Sequence, residues 1–188
     1  MNVALRQTWT VDQFLAWEER QDVRFEFDGV RPIGMVGVTE NHAEIQANLI
    51  RAVGNRLSRP PCRIVGSDLK LRLASSVRYP DAMVLCSPRQ SGRSTVTDPV
   101  IVFEIASDST ASTDLVLKNA EYRATPSIQR YVFLQQTHAA AVVFSRRDDL
   151  WAAEIVSGAD AVLPLPEIGI DVPLAEIYRD VPLPPEDA

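Results

Sequence analysis

Two carboxylates and one lysine carry the chemistry this sequence has to offer. Glu104 directly follows the apolar run Val100-Ile101-Val102-Phe103 and precedes Ile105-Ala106. A continuous stretch of β-branched and aromatic residues is the pattern of a strand buried on both faces, and a charge inside it needs a reason. An unpaired buried carboxylate shifts its pKa and neutralises rather than stay charged, so Glu104 calls for a cationic partner or a metal. Asp81 holds a similar position, entering Ala82-Met83-Val84-Leu85-Cys86 after Tyr79-Pro80. Lys118 follows Glu104 by 14 residues, on a segment that can fold back over that strand. Each has a plainer reading when taken alone. Asp81 is then a turn residue after proline, and Lys118 forms an i,i+4 ion pair with Asp114, worth a few tenths of a kcal/mol.

Together the three suit metal-assisted hydrolysis of a phosphodiester. Carboxylate oxygens suit a hard cation, and Mg²⁺ takes one or two protein carboxylates plus waters and substrate phosphate. Two carboxylates about 4 Å apart repel by roughly 4 kcal/mol at an effective dielectric of about 20, and a divalent ion reverses that sign. A lysine beside the ion orients the attacking water or helps deprotonate it, and steadies charge developing on phosphate.

The elements that must position these residues follow from periodicity. Thr10 and Gln13 form a capping box for a helix with Val11, Phe14, Leu15 and Trp17 on its apolar face. Val23 to Phe27 alternates, and Asp28-Gly29 predicts a hairpin turn into a return strand over Val30 to Val36, with Pro32 marking an edge or bulge. Glu26 then shares a face with Arg24, either paired with it in solvent or turned into a site. A second helix starts at Thr39 or Asn41, with an apolar stripe from Ala43 to Leu57. His42 in its first turn reads as a surface or helix-end residue. Strands are predicted at Cys62 to Val65, Leu69 to Leu73 (one face wet through Lys70 and Arg72) and Ala82 to Cys86. Ser87 to Asp98 reads as a loop. Beyond a helix from Thr113 through Tyr122, strands are expected at Ile128 to Leu134, Ala139 to Ser145 and Trp151 to Val156. The last two form a hairpin across Asp148-Asp149, and the proline-rich end holds one helical turn at Pro173 to Tyr178.

The 188 residues, 46% hydrophobic and without a linker or internal repeat, are expected to fold as a single domain over 1–188. A net charge of −6 argues against a broad basic surface, leaving local patches at Arg56, Arg59 and Arg63, at Lys70, Arg72 and Arg78, and at Arg146-Arg147. These read most simply as solvated faces. The N-terminal residues lack a signal-type apolar region, and no apolar run is long enough to span a bilayer. With only Cys62 and Cys86 and no CxxC, a reducing cytoplasm is expected, with both cysteines as buried small hydrophobes.

The order of these signals resembles the Uma-two family of endonuclease-like proteins in the PD-(D/E)XK superfamily. The matching pieces are Thr10-Val11-Asp12-Gln13-Phe14-Leu15, Arg24-Phe25-Glu26-Phe27-Asp28-Gly29-Val30, Asn41-His42, Tyr79-Pro80-Asp81, Val102-Phe103-Glu104-Ile105-Ala106-Ser107, then Asp114 with Lys118 and Tyr122, and the closing Leu163 to Tyr178. The resemblance implies an α/β fold with a restriction-endonuclease-like core, a mixed β-sheet flanked by helices. It implies Asp81 and Glu104 as ligands of Mg²⁺ or Mn²⁺, with Glu26 and His42 completing the pocket, and a homodimer acting on DNA. Superfamily members usually carry lysine two residues after the second acid. Ala106 stands there in this chain, and the family's helical lysine maps onto Lys118 instead. Asp108 departs from the proline common after the family's serine, which leaves the loop geometry open. A nuclease-like fold serving nucleic-acid binding or assembly without turnover is the alternative, favoured by Ala106 and the acidic net charge.

Overall fold

The computed structural model describes residues 9–57, 60–107, 113–158 and 160–184, with the side chains of 113–115 outside that description. Arg59, Asp108 and the Asp114 side chain, singled out in the sequence, therefore fall outside the described residues. The elements run α1 (Val11–Glu18), β1 (Phe25–Phe27), β2 (Pro32–Gly34), α2 (Glu40–Arg56), β3 (Arg63–Gly66), β4 (Lys70–Arg72), β5 (Val77–Arg78), β6 (Ala82–Leu85), β7 (Thr95–Val96), β8 (Pro99–Ile105), α3 (Thr113–Ala124), β9 (Arg130–Leu134), β10 (Ala140–Arg147), β11 (Leu150–Ser157), β12 (Val162–Leu165), β13 (Ile170–Pro173) and α4 (Leu174–Ile177).

A six-stranded sheet in the order β11-β10-β9-β8-β6-β3 forms the centre. Only β8 and β9 in it run parallel, joined by α3 as a strand–helix–strand crossover. The expected mixed sheet with flanking helices is present. Its faces are covered differently. Ile101, Phe103 and Ile105 of β8 face α2 (Ile45, Leu49, Val53), the β12–β13 hairpin and α4. Val102, with Met83 and Leu85, faces Tyr122 of α3 and the residues Leu71 and Val96 of a smaller sheet ordered β2-β1-β5-β4-β7. Because β8 is enclosed on both sides, its sequence is apolar at nearly every position rather than alternating. Burying each such side chain fully contributes about 1.5–3 kcal/mol.

The helix starts follow their caps. Thr10 accepts from the Gln13 amide while Gln13 accepts from the Thr10 amide, the reciprocal box expected. Thr39 caps α2 by accepting from the His42 amide at 3.2 Å. α1 seats Phe14 in a stack on Phe27, ring centroids 5.1 Å apart, and so ties itself to β1.

Several local expectations are corrected. The β1–β2 connection spans residues 28–31 rather than two residues, since Phe27 pairs with Pro32. The Asp28 carboxylate takes the Val30 and Arg31 amides at 2.8 and 2.7 Å, and Gly29 supplies the positive φ of 90°. Pro32 does lie on an edge strand, where its missing donor costs nothing. Ser87 to Asp98 contains β7, parallel to β4. Lys70 is not on a wet face: it is 9% exposed and paired with Glu18 at 2.7 Å. The C-terminal segment holds the β12–β13 hairpin, which its prolines concealed.

The cysteines are corrected most clearly. Arg63 lies opposite Leu85, so Cys62 and Cys86, one residue beyond on each strand, face one another across β3 and β6 and form a disulfide. A cross-link closing a 24-residue separation removes chain entropy worth about 3–4 kcal/mol from the unfolded ensemble. Reduction, or Cys62→Ser with Cys86→Ser, is therefore expected to lower the unfolding free energy by about 3 kcal/mol. Denaturant titration with and without reductant measures this; coincident curves would show the link to be thermodynamically silent.

Candidate active site

The candidate residues converge where β8 ends and β6 begins. Ala82 pairs with Phe103, which places Asp81 opposite Glu104 on the two neighbouring strands. Asp81 Oδ2 accepts the Ile105 amide at 2.7 Å and lies 3.2 Å from His42 Nε2. The Asp81 carbonyl is held by Gln46 Nε2 of α2 at 2.7 Å. Glu104 Oε1 lies 3.3 Å from Lys118 Nζ and accepts the Tyr122 hydroxyl at 2.6 Å. Lys118 Nζ also reaches Glu26 Oε1 at 3.3 Å. Four residues, one helical turn, separate Lys118 from Tyr122, so α3 brings both to Glu104.

The structure thus brings together Glu26, His42, Asp81, Glu104 and Lys118 from β1, α2, β6, β8 and α3. Glu26 is not a solvent partner of Arg24, which pairs with Asp68 instead. It accepts the Tyr79 amide at 3.0 Å and faces Arg78 at 3.3 Å. Nor is His42 a surface residue: at 4% exposure it is buried at the start of α2. With Nε2 directed at Asp81, its Nδ1 has no hydrogen-bond partner among the described residues.

Arg78 and Glu121 are members that sequence reasoning missed. Arg78 is 3% exposed, not part of a solvated basic face. It clasps Glu121 with two parallel hydrogen bonds of 2.8 Å and lies beside Glu26. Phe27 pairs with Val77, so strand alternation sets Arg78 beside Glu26, through a cross-sheet register that the sequence pattern does not show. Glu121 stands three residues after Lys118, on the same helical face.

Burial dominates the electrostatics, and the neighbours decide each outcome. It pushes the Glu104 carboxyl up to about 7, against the pull of Lys118 and with added repulsion from Asp81 and Glu26. For Lys118 burial opposes the charge, but Glu104 and Glu26 outweigh it and hold the ammonium above its ordinary pKa. Glu26 also meets a burial penalty, overcome by Lys118, the Tyr79 amide and Arg78, so its pKa falls. Burial first, then Glu104, keeps the Tyr122 hydroxyl protonated as a donor.

The cluster offers carboxylate oxygens, the donor type that a hard divalent cation takes. Four carboxylates (Glu26, Asp81, Glu104 and Glu121) face two permanent cations, Arg78 and Lys118. Carboxylates outnumber cations in the cluster, and their repulsion adds to the burial that raises the Glu104 pKa. Asp81 and Glu104, opposed on paired strands, are the residues that could hold such an ion.

A family model described as "Putative restriction endonuclease" matches residues 11–175. The chain belongs to the Uma2 family. This is the Uma-two group that the motif order resembles. An uncharacterized protein of Synechocystis sp. is 31% identical over 172 residues, covering 89% of this chain and 90% of its own. A second Synechocystis protein, also uncharacterized, is 31% identical over 141 residues, covering 72% of this chain and 80% of its own. Among solved structures, one described as a putative nuclease belonging to DUF820 from Anabaena variabilis superposes with a TM-score of 0.73. That likeness covers 90% of this chain and 97% of the other at 18% identity, and it supports the Uma2 fold as nuclease-like.

The Glu104 shift sets a pH dependence whose sign can be stated. Its folded pKa lies above the ordinary 4.5, so the folded state binds the extra proton and is favoured at low pH. That contribution is complete below about 4.5 and is lost as pH rises through about 7. Glu104→Gln removes this titration. In chelator, the variant's Tm is expected to fall less than the wild type's between pH 4.5 and 7, and parallel profiles would contradict the buried-carboxylate account.

Proposed function

We propose that this Uma2 protein is a metal-dependent endonuclease that hydrolyses phosphodiester bonds in DNA, acting as a homodimer. The observation that carries the reading is the carboxylate pair of Asp81 and Glu104 on adjacent strands, with Lys118 Nζ 3.3 Å from Glu104. Asp81 and Glu104 would hold Mg²⁺ or Mn²⁺. Among the described residues no group of three or more His, Cys, Asp or Glu is arranged to hold a metal, and one or two protein carboxylates are the usual share for Mg²⁺. When bound, the ion would supply Lewis-acid polarisation of the phosphate and a lower pKa for its water.

The chain's own residues have separable tasks in this reading. Lys118, kept an ammonium by Glu26 and Glu104, donates rather than accepts protons. It orients the attacking water and steadies negative charge on the phosphate, which favours positioning over deprotonation as its role. Glu26 holds Lys118, and Arg78 with the Tyr79 amide holds Glu26. His42 braces Asp81 from the α2 side, and Tyr122 braces Glu104 from the α3 side.

One observation favours the assembly reading as a second possibility. Val30, Val36, Val38, Val116 and Leu117 are all more than half exposed, in the segments that carry Glu26 and Lys118 toward the site. Aliphatic surface of this kind suits a protein partner better than a phosphate backbone.

Calorimetric titration of Mn²⁺ into the wild type and Asp81→Asn tests the metal site without a choice of substrate; saturable binding lost in the variant is expected. In cleavage assays on duplex DNA, Lys118→Ala is expected to lose on the order of 10²-fold or more in rate. Metal-dependent cleavage at the wild-type rate in that variant would remove Lys118 from the mechanism.

A further inference from the structure

Away from the carboxylate cluster, a cavity of about 410 Å³ opens between β3, β7 and the loop after β6. Arg63, Arg89 and Arg93 line it, over apolar walls that include Val65, Leu69 and Val96. Three guanidiniums around one cavity are unusual in a chain whose net charge is −6. Two of them are fixed in place. Arg63 Nη1 donates to the Ser87 carbonyl at 2.6 Å. Arg93 donates to the Thr95 carbonyl at 2.8 Å and to Asp98 at 3.0 Å. Arg89 is exposed, and among the described residues no carboxylate pairs with Arg63 or Arg89. A guanidinium carries five donors in a planar fork, so anchoring by one or two bonds leaves the rest available to an anion.

The cavity's place in the sheet gives it a geometric relation to the candidate active site. Val65 pairs with Met83 and Arg63 with Leu85, so Arg63 emerges on the sheet face that also carries Asp81 and Glu104. Leu85 lies four residues along the strand from Asp81, about 13 Å at ~3.3 Å per residue, and the smaller sheet covers Met83 and Leu85 between the two places, so each opens at its own edge of that cover.

We propose that the Arg63–Arg89–Arg93 cavity is a phosphate subsite that grips the backbone of a DNA strand at a point apart from the bond presented to Asp81 and Glu104. It supplies locally the cationic contact that the chain as a whole lacks. The identity of the polyanion rests on the nuclease reading above; the anion site itself rests on the cavity.

Fluorescence anisotropy of a fluorescein-labelled 20-base-pair duplex, in EDTA and across a KCl series, tests it in the full chain. Each phosphate contact contributes about 0.9 to the slope of log K against log salt. The wild type is expected to bind with a slope that falls by roughly 2 in Arg63→Gln/Arg89→Gln. The single variant Arg89→Gln, at an exposed side chain with no carboxylate partner among the described residues, is expected to lose about 1. Slopes equal to the wild type's, or no wild-type binding, would overturn the subsite. Cleavage is scored separately with Mn²⁺. A salt-steep, arginine-dependent grip without cleavage would sink the nuclease reading and keep the subsite, and cleavage with unchanged slopes would do the reverse.

Discussion

The constraint on which this structure turns is that Glu104 lies in the last two residues of a strand enclosed on both faces. A carboxylate there cannot stay ionised unless opposite charge is brought to it, and the Lys118 ammonium brings it. Lys118 and the Tyr122 hydroxyl arrive on one turn of α3, while Asp81 on the neighbouring strand and Glu26 from the smaller sheet repel the carboxylate and hold its pKa up. Those arrivals explain otherwise odd features of the fold. The smaller sheet lies against the central one where β1 and β5 present Glu26 and Arg78, and α3 is the crossover that a parallel β8–β9 pair requires.

The cluster is also a hierarchy of supports. Lys118 touches two glutamates; one is held by Tyr122 and the other by Arg78, which is itself fixed by Glu121. Low dielectric strengthens each link and penalises each omission. Such a network favours one geometry over many, which is what positioning a water molecule against a phosphate demands.

Much of this was legible in the sequence where a residue broke a pattern. Glu104 inside an apolar run and Asp81 at the mouth of another announced themselves because burial makes a charge conspicuous. Lys118 followed from helical spacing. Glu26 and His42 were different: local pattern made the first a wet strand residue and the second a helix-end residue, and only the family resemblance lifted them. Their true surroundings depend on contacts across sheets, such as Phe27 with Val77, that periodicity does not carry. Arg78, Lys70 and the two cysteines were misread for the same reason. A lone arginine, lysine or cysteine shows no periodic signal, and its partner lies tens of residues away. The β12–β13 hairpin hid behind its prolines, which suit the open edges of a two-stranded ribbon.

The disulfide has a significance beyond tethering. β3 is an outermost strand, four residues long and bordered on one side only. Such a strand has one neighbour to set its register, and a slide of one position would exchange its two faces. In β3 it would swing Arg63 toward α2 and deliver Ile64 in its place. By joining Cys62 to Cys86 the chain permits a single phase for that strand. The covalent bond therefore stores directional information: it decides which side of the sheet is cationic.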